Sequence, residues 1–247
     1  MGIRIEVCAF SFDACVNAQA GGADRIELCS NPVEGGTTPS HGLARKVRER
    51  VALDLFPIIR PRAGNYCYSE DEFEVLLADI AHFCEIGCNG VSVGVQRMDG
   101  TIDVERMKRV REAARPMGCT CNRAFDLTPD PFAALEALVA AGCDRVLTSG
   151  QASYAHEAAE LLAELVRRAG SRIMVMPGSG VRPDNLAELI RKTGAREYHT
   201  AARRYVPNAM SFQNPRLLDL GQTVHADAGI IREMRRICDR ASGEPPR

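Results

Sequence analysis

Two short motifs near the N-terminus combine a carboxylate with a thiol. Glu6-Val7-Cys8 lies within the run Ile3–Phe10, and Glu27-Leu28-Cys29 ends the run Arg25–Cys29. Both runs have the composition of β-strands, in which residues two apart share a face. If the two strands are neighbours in a parallel sheet, two carboxylates and two thiols meet at one place.

The two cysteines predict a site for a soft metal ion. Facing thiolates suit Cu(I) better than hard cations, so we predict that Cys8 and Cys29 bind copper (Cu+). The alternative is that both are packing residues, because free cysteine packs as a small hydrophobic side chain. The chain has ten cysteines but no paired CxxC sets, which argues against a zinc ribbon or a disulfide framework.

Arginines and glycines at later strand ends indicate an anion site. Arg60 and Arg62 follow a predicted strand and share a face, and guanidinium groups pair well with carboxylate or phosphate. Gly178-Ser179-Gly180 leads into a predicted helix, where backbone N–H groups can hold phosphate. These residues predict a small anionic ligand.

Carboxylates and a histidine at strand ends predict proton transfer. Glu6 and Glu27 would lie together, and His199 occupies the position in its strand that Glu27 occupies in its own. Two carboxylates close together tend to have separated pKa values, as an acid and a base need. Asp126 follows another predicted strand and joins this set of catalytic candidates.

Each of these interpretations has a purely structural alternative. Buried charges are costly unless they are paired, so Arg60 and Arg62 can neutralise Glu6 and Glu27 in a network that fills the site. His199 can be a core residue with internal partners, and the glycine-rich loop can be no more than a tight turn.

The elements that must position these residues alternate regularly. A helix-like stretch, a glycine, a small residue and a β-type run recur at Gly22, Gly87, Gly142 and Gly194. The glycine is typical of a helix C-cap. Each interval has room for one more strand, and the count of eight is completed by Ile3–Phe10, Leu53–Ile59, Gly118–Ala124 and Arg172–Met176.

The predicted helices have recognisable starts. N-terminal signals stand at Ser11, at Ser69 with Glu72 as a capping box, and at Asp103, Pro131, Ser153 and Pro183, and Ala226–Arg240 reads as the last helix.

Strict β/α alternation predicts an α/β fold, a single-domain TIM (β/α)8 barrel over residues 1–241, with 242–247 as a disordered C-terminal tail. An open doubly wound sheet is the alternative. In a barrel, function lies at the C-terminal ends of the strands.

Composition narrows the partners. The chain of 247 residues has a net charge of −1 and is 45% hydrophobic, which supports a sizeable core and argues against nucleic acid as a partner. No apolar run approaches the roughly 20 residues that span a bilayer, and the N-terminus has no signal-peptide pattern. We expect a cytoplasmic protein that does not bind membranes.

One segment is longer than most barrel loops. Arg203–His225 exceeds the usual length of a barrel connection. It is predicted either to cover the pocket as a lid, with Phe212 as an apolar contact, or to form an oligomer contact.

Several of these stretches resemble the copper homeostasis protein CutC family. The resemblance covers nearly the whole chain and is carried by GADRIELCSNPVEGGTTPS, PIIRPRAGNYCYSEDEF, RAFDLTPDP, RVLTSG, PGSGV and EYHTAA. It implies a cytoplasmic, often homo-oligomeric TIM barrel (dimer or tetramer) linked to copper homeostasis. The family's candidate copper thiols match Cys8 and Cys29. Its polar residues at the barrel mouth match Glu6, Glu27, Arg60, Arg62, Arg123, Asp126 and His199.

The chain departs from the family pattern at two positions. Asn122 stands where the family usually has histidine before the RAFD motif, and Gln213 replaces a residue that is often arginine. An amide is a poor base and a poor ligand for a soft metal, so the role of that histidine is not carried over. The glutamine weakens an anion-binding role for the long segment.

The sequence supports three hypotheses for the function of the protein. The leading hypothesis is a copper-handling protein with Cys8 and Cys29 as Cu(I) ligands. The alternative is a TIM-barrel enzyme acting on a small anionic or phosphorylated metabolite. The predicted ligand-binding residues are then Arg60, Arg62, Arg123, Gly178, Ser179 and Gly180, and the catalytic candidates are Glu6, Glu27, Asp126 and His199. The third is a structural or chaperone-like oligomer.

Overall fold

The predicted alternation of strands and helices is observed along the described chain. The structure, a computed structural model, describes residues 2–207, 209–212, 214, 216 and 223–243. The strands are β1 (Arg4–Ala9), β2 (Arg25–Leu28), β3 (Asp54–Ile59), β4 (Gly90–Val93), β5 (Gly118–Cys121), β6 (Arg145–Thr148), β7 (Met174–Pro177), β8 (Glu197–Thr200), β9 (Arg203–Val206) and β10 (Thr223–Ala226). The helices are α1 (Phe12–Ala20), α2 (His41–Arg50), α3 (Glu70–Glu85), α4 (Val104–Ala113), α5 (Pro131–Ala141), α6 (Ala159–Ala169), α7 (Pro183–Thr193) and α8 (Ala228–Ser242).

The first eight strands form one parallel sheet that curls on itself. Each strand from β1 to β7 lies beside the next along the chain, and β1 also pairs with β8. Gly178 after β7 packs against His199 of β8, which brings the two edges together in a nearly closed barrel. The predicted α/β fold, a single-domain TIM barrel, is confirmed.

Helix starts follow the capping residues read from the sequence. The Ser69 hydroxyl accepts from the Glu72 amide, and the Glu72 carboxylate accepts from the Ser69 amide, which completes the predicted capping box. The side chain of Ser11 accepts from the Ala14 amide and caps α1. The side chain of Asp103 accepts from the Arg106 amide and caps α4. Ser153 does not begin α6, because a short 3-10 turn at Ala155–Ala158 comes first.

Helix α2 was not among the predicted helices. Its sequence, HGLARKVRER, buries only Ala44 and Val47 against the barrel. A basic segment with so narrow an apolar stripe gives little helical periodicity to detect. The serine at its N-cap, Ser40, accepts from the Leu43 amide.

The C-terminal region differs from expectation. The last helix continues to Ser242, whose hydroxyl accepts from the Ile3 amide, so this residue does not belong to a frayed tail. Residues 244–247 of the predicted tail, and Gln213, lie outside the described part of the chain. In the long segment β9 pairs antiparallel with β10, and Phe212 is 70% exposed, so it does not make the predicted contact with the pocket.

The barrel interior is built around one aromatic ring. Phe56 of β3 lies beneath the guanidinium groups of Arg25 and Arg145, 5.0 and 5.6 Å from the ring centroid. The ring fits because Gly90 of β4 has no side chain, and a Cβ there would lie 2.1 Å from Phe56 Cε1. This layer forms the floor below the strand ends.

Within the described ranges, none of the helices combines the length and the apolar character needed to cross a bilayer.

Candidate functional site

The two Glu-x-Cys motifs meet inside the barrel. β1 and β2 are parallel neighbours with Cys8 opposite Glu27, so both motifs turn the same face inward. Cys8 Sγ lies 3.6 Å from Cys29 Sγ, and Cys29 Sγ lies 3.6 Å from Glu27 Oε2. Ligand atoms of the three residues all lie within 4.8 Å of one another.

The thiol pair fits a shared metal ion. With metal–sulfur bonds of about 2.3 Å, as in zinc thiolates, one ion contacts two sulfurs up to roughly 4.6 Å apart. The observed 3.6 Å is within this limit. Cys29 is fully buried and Cys8 nearly so, and both pack with Ile58, Phe10 and Ala201. The surroundings are apolar apart from the ionisable groups themselves.

His199 joins the site from β8. It stands opposite Glu6 in the β1–β8 pairing, and its Nδ1 lies 2.8 Å from Glu6 Oε1. Its Nε2 lies 3.9 Å from Glu27 Oε2. The sequence position of His199 therefore placed it correctly in the same pocket as Glu27.

Arg25 lies at the bottom of the site and binds two carboxylates. Its Nε donates to Glu6 and its Nη2 donates to Glu197, and all three side chains are buried. Arg145 donates to the same Glu197 carboxylate at 2.6 Å. Two arginines therefore neutralise two carboxylates directly beneath the thiols.

The two thiols have different acidities. A hydrogen bond from Cys29, together with the nearby His199, outweighs burial and lowers the pKa of Cys8 to about 6. Burial and the neighbouring Cys8 raise the pKa of Cys29 well above its ordinary value. The pair therefore consists of one thiolate and one thiol at neutral pH.

The carboxylates and the imidazole are shifted in opposite directions. Burial, with Cys8 next, raises the pKa of Glu27 to about 8. Burial opposes ionisation of Glu6, but Arg25 and His199 hold its pKa well below the ordinary value. Burial also opposes protonation of His199, yet hydrogen bonds to Cys8 and Glu6 raise its pKa to about 10. At neutral pH Glu6 is ionised, His199 is protonated and Glu27 keeps its proton.

The expected pairing of Arg60 and Arg62 with the two glutamates is wrong. Arg60 donates to the backbone carbonyls of Glu34, Gly36 and Gly64. Arg62 binds Glu72 of α3 at 2.5 Å and lies away from the barrel interior. Arg60 and Arg62 come four and six residues after Phe56, which pairs with Glu27, so they lie beyond the level at which the glutamates are buried.

Arg25 is the partner that sequence reasoning missed. It lies two residues before Glu27 and therefore on the same face of β2. The spacing of two residues that places Glu27 and Cys29 on one face also places Arg25 there, so the sequence contained enough information to identify Arg25.

Asp126 is an anchor between two loops. Its carboxylate accepts from Arg123 Nε, from Thr148 Oγ1, and from the amides of Ser149 and Gln151. These bonds fill its acceptor capacity, so a role as general base gains no support from its contacts. Arg123 also donates to Ser149 Oγ, and its side chain is 42% exposed.

The glycine-rich loop after β7 makes local contacts. Ser179 Oγ donates to the Ser153 carbonyl, and the Ala155 amide donates to the Ser179 carbonyl. Gly180 packs against the Tyr154 ring. These contacts tie two loops together as a tight turn does, and phosphate binding by Gly178, Ser179 and Gly180 stays a prediction.

Asn122 occupies a defined place at the end of β5. Its Oδ1 accepts from the Ala124 amide at 3.0 Å and caps the following 3-10 turn. Its Nδ2 is buried and has no partner in the described structure. Position 122 thus carries a buried, unpaired amide donor at the end of β5.

Comparisons with known proteins agree with this architecture. A sequence model described as the CutC family matches residues 3–204. A CutC family protein of Parabacteroides distasonis is 49% identical over 211 residues, 85% of this chain and 87% of that protein. One from Chromobacterium violaceum is 43% identical over 243 residues, 96% of this chain and 98% of that protein.

Solved structures give the same result. The putative copper homeostasis protein CutC from Streptococcus agalactiae is 28% identical, with a TM-score of 0.77, covering 81% of this chain and 98% of that one. Phosphoribosylanthranilate isomerase from Thermotoga maritima, at 13% identity and a TM-score of 0.57 over 98% of this chain and 99% of that one, shares the barrel fold alone. On the family match and on these sequence identities, the chain belongs to the CutC family.

Proposed function

We propose that this protein binds Cu(I) through Cys8 and Cys29 at the C-terminal mouth of the barrel, as part of copper homeostasis. The observation that carries the proposal is the separation of 3.6 Å between the two sulfurs. A thiolate is the form of cysteine that binds a soft metal, and Cys8 has a pKa lowered to about 6. Glu27 and His199 border the same space.

A competition titration tests the copper site. Wild type and Cys8→Ser/Cys29→Ser would compete for Cu(I) against a strong chelator, with Cys119→Ser/Cys121→Ser as a control that removes another buried cysteine pair. We expect one tightly held Cu(I) in wild type and in the control, and its loss in the first double variant. Equal binding by all three proteins would make Cys8 and Cys29 packing residues.

The second candidate is an enzyme acting on a small anionic or phosphorylated metabolite. It is favoured by pKa values shifted in opposite directions within one cluster: that of Glu27 is raised to about 8, and that of Glu6 is lowered. Such separation suits an acid and a base. Deuterium exchange into pooled phosphorylated and carboxylate metabolites tests it, since Glu27→Gln should abolish any exchange that wild type catalyses.

The cellular setting is also part of the proposal. We expect a cytoplasmic homo-oligomer, a dimer or tetramer. Exposed apolar side chains in the long segment, Tyr205 and Phe212, support an oligomer contact there.

A further inference from the structure

Among the residues that the structure describes, three arginines are almost completely buried, and one of them differs from the other two. Arg25 binds Glu6 and Glu197, and Arg235 binds Asp24 and Asp239. Each buried charge is therefore matched by two carboxylates, as burial in a low-dielectric interior requires.

The third buried arginine, Arg60, has no carboxylate partner in the described part of the chain. It is 5% exposed, and its donors reach the carbonyls of Glu34, Gly36 and Gly64 at 2.6–2.8 Å. The Tyr66 ring covers one face, 4.9 Å from the guanidinium carbon. Carbonyl dipoles orient the group but leave its net charge uncompensated.

Buried donors without partners lie on the strands beside it. In the described structure Arg60 Nε and Asn122 Nδ2 are buried and make no hydrogen bond. Buried Ser92 Oγ makes none of standard length and angle, although it lies close enough to Glu27 to act on that carboxyl. Buried polar atoms are nearly always hydrogen-bonded, so each exception requires an explanation. The guanidinium and amide groups can only donate, and a serine hydroxyl can do so.

The strand register brings these three residues together. β3 pairs Ile58 with Ser92, and β4 pairs Ser92 with Thr120. Two residues further along each strand, Arg60, Gly94 and Asn122 stand at one level, with Ser92 one step deeper.

Gly94 stands between Arg60 and Asn122 and has no side chain, and the side chains of Asn122 and Ala124 pack over it. A Cβ at Gly94 would lie 2.5 Å from Asn122 Oδ1, so the amide lies across it. The bond from the Ala124 amide fixes Oδ1, which leaves Nδ2 as the free end. Strands are about 4.8 Å apart, so the backbones of Arg60 and Asn122 are roughly 10 Å apart, a span that two side chains and one oxyanion can fill.

We propose that Arg60 Nε, Asn122 Nδ2 and Ser92 Oγ form a subsite for a small oxyanion, a carboxylate or phosphate group, at the barrel mouth. A ligand that meets only donors and one uncompensated cation must be an acceptor with negative charge. The subsite uses neither Cys8 nor Cys29, although Ser92 is a neighbour of Glu27 beside the thiol pair. It can therefore be tested apart from the copper proposal, and it assigns a function to Asn122 and Ser92.

Anion binding to the full chain tests the subsite. The probes are inorganic phosphate, acetate and malonate, measured by titration calorimetry and by the rise in melting temperature. We expect saturable binding of at least one probe. Asn122→Asp should weaken it at least roughly tenfold, because a carboxylate replaces a donor to a charged group while its remaining oxygen still caps Ala124. Ser92→Ala should weaken it severalfold.

Matched variants separate this subsite from its neighbours. Arg172→Lys alters an arginine that is paired with Glu136 on the surface, and it should leave anion affinity unchanged. Arg60→Lys, which removes Nε, should abolish binding, and if it does not fold, Ser92→Ala still tests the site. Cys8→Ser/Cys29→Ser should keep anion affinity, so a failed copper site does not affect this test.

The outcomes are distinct. Binding of phosphate alone, or of the carboxylates alone, supports the subsite and identifies which oxyanion it takes. If none of the probes binds, or if Asn122→Asp and Ser92→Ala bind like wild type, the buried donors are satisfied by water and the subsite does not exist.

Discussion

Nδ1 of His199 lies 2.8 Å from Oε1 of Glu6, and both residues face the interior from adjacent strands. Glu6 is itself bound by Arg25 from the opposite neighbour. The contact keeps the imidazole protonated and turns its Nε2 toward Glu27, 3.9 Å away. This charged network lies below the thiols, and through His199 it adds to the hydrogen bond from Cys29 in lowering the pKa of Cys8.

Removing the Glu6 charge should destabilise the fold. Glu6→Gln leaves Arg25 and His199 buried with less compensating charge, and breaking a buried ion pair costs about 3–5 kcal/mol. We expect the free energy of unfolding, measured in urea, to fall by that amount. Glu49→Gln, which removes an exposed pair with Arg45, should change it by less than about 1 kcal/mol.

The Cys8 thiol should titrate below neutral pH. Its pKa is lowered from an ordinary value of 9.0 to about 6, so thiolate absorbance in the ultraviolet should rise as pH increases through about 6. Cys8→Ser should remove this transition. In Cys29→Ala the transition should move upward, because the hydrogen bond that stabilises the Cys8 thiolate is lost. A transition that persists in Cys8→Ser would belong to another group.

Cys8 and His199 together predict the range of pH in which the protein is most stable. Cys8, with its pKa lowered to about 6, contributes stability that is lost as pH falls through that value. His199, with its pKa raised to about 10, contributes stability that is lost as pH rises through that value. The apo protein should be most stable between these limits. His199→Gln should flatten the profile on the alkaline side, which urea unfolding at several pH values measures.

The sequence was informative wherever a local period decided the outcome. The spacing of two predicted that Cys8 and Cys29 face one pocket, because residues two apart on a strand share a face. The register places Cys8 opposite Glu27, and the two sulfurs lie 3.6 Å apart. The barrel itself followed from eight β-type runs separated by capped helices. These features depend on neighbours along the chain or on adjacent strands.

Features that depend on the level of a residue along the barrel axis, or on the course of the loops, could not be predicted from residue spacing. Arg60 and Glu27 both face inward, but the backbone carbonyls that bind Arg60 come from loops whose course no spacing predicts. The Asn122 amide can be recognised as an unpaired donor only when the positions of the neighbouring polar atoms are known. Neither result was available from residue types alone.

The floor of the barrel should tolerate no added methyl group at Gly90. A Cβ there would lie 2.1 Å from Phe56 Cε1, so Gly90→Ala forces the ring from beneath two arginines. We expect a loss of about 1–3 kcal/mol in unfolding free energy. Gly42→Ala in α2 meets nothing within 4 Å and should stabilise by up to about 1 kcal/mol, since alanine is the better helix former. Equal effects of the two substitutions would contradict the tight packing at Gly90.

The long segment should carry the oligomer contact. Tyr205 and Phe212 are 59% and 70% exposed, and large apolar side chains exposed together mark interaction surfaces. Tyr205→Ser/Phe212→Ser should therefore convert a dimer or tetramer to monomer in light scattering, with the barrel still folded by circular dichroism. Val33→Ser, at a position 91% exposed elsewhere on the surface, should leave the mass unchanged. A wild-type protein that is already monomeric at micromolar concentration would remove this role.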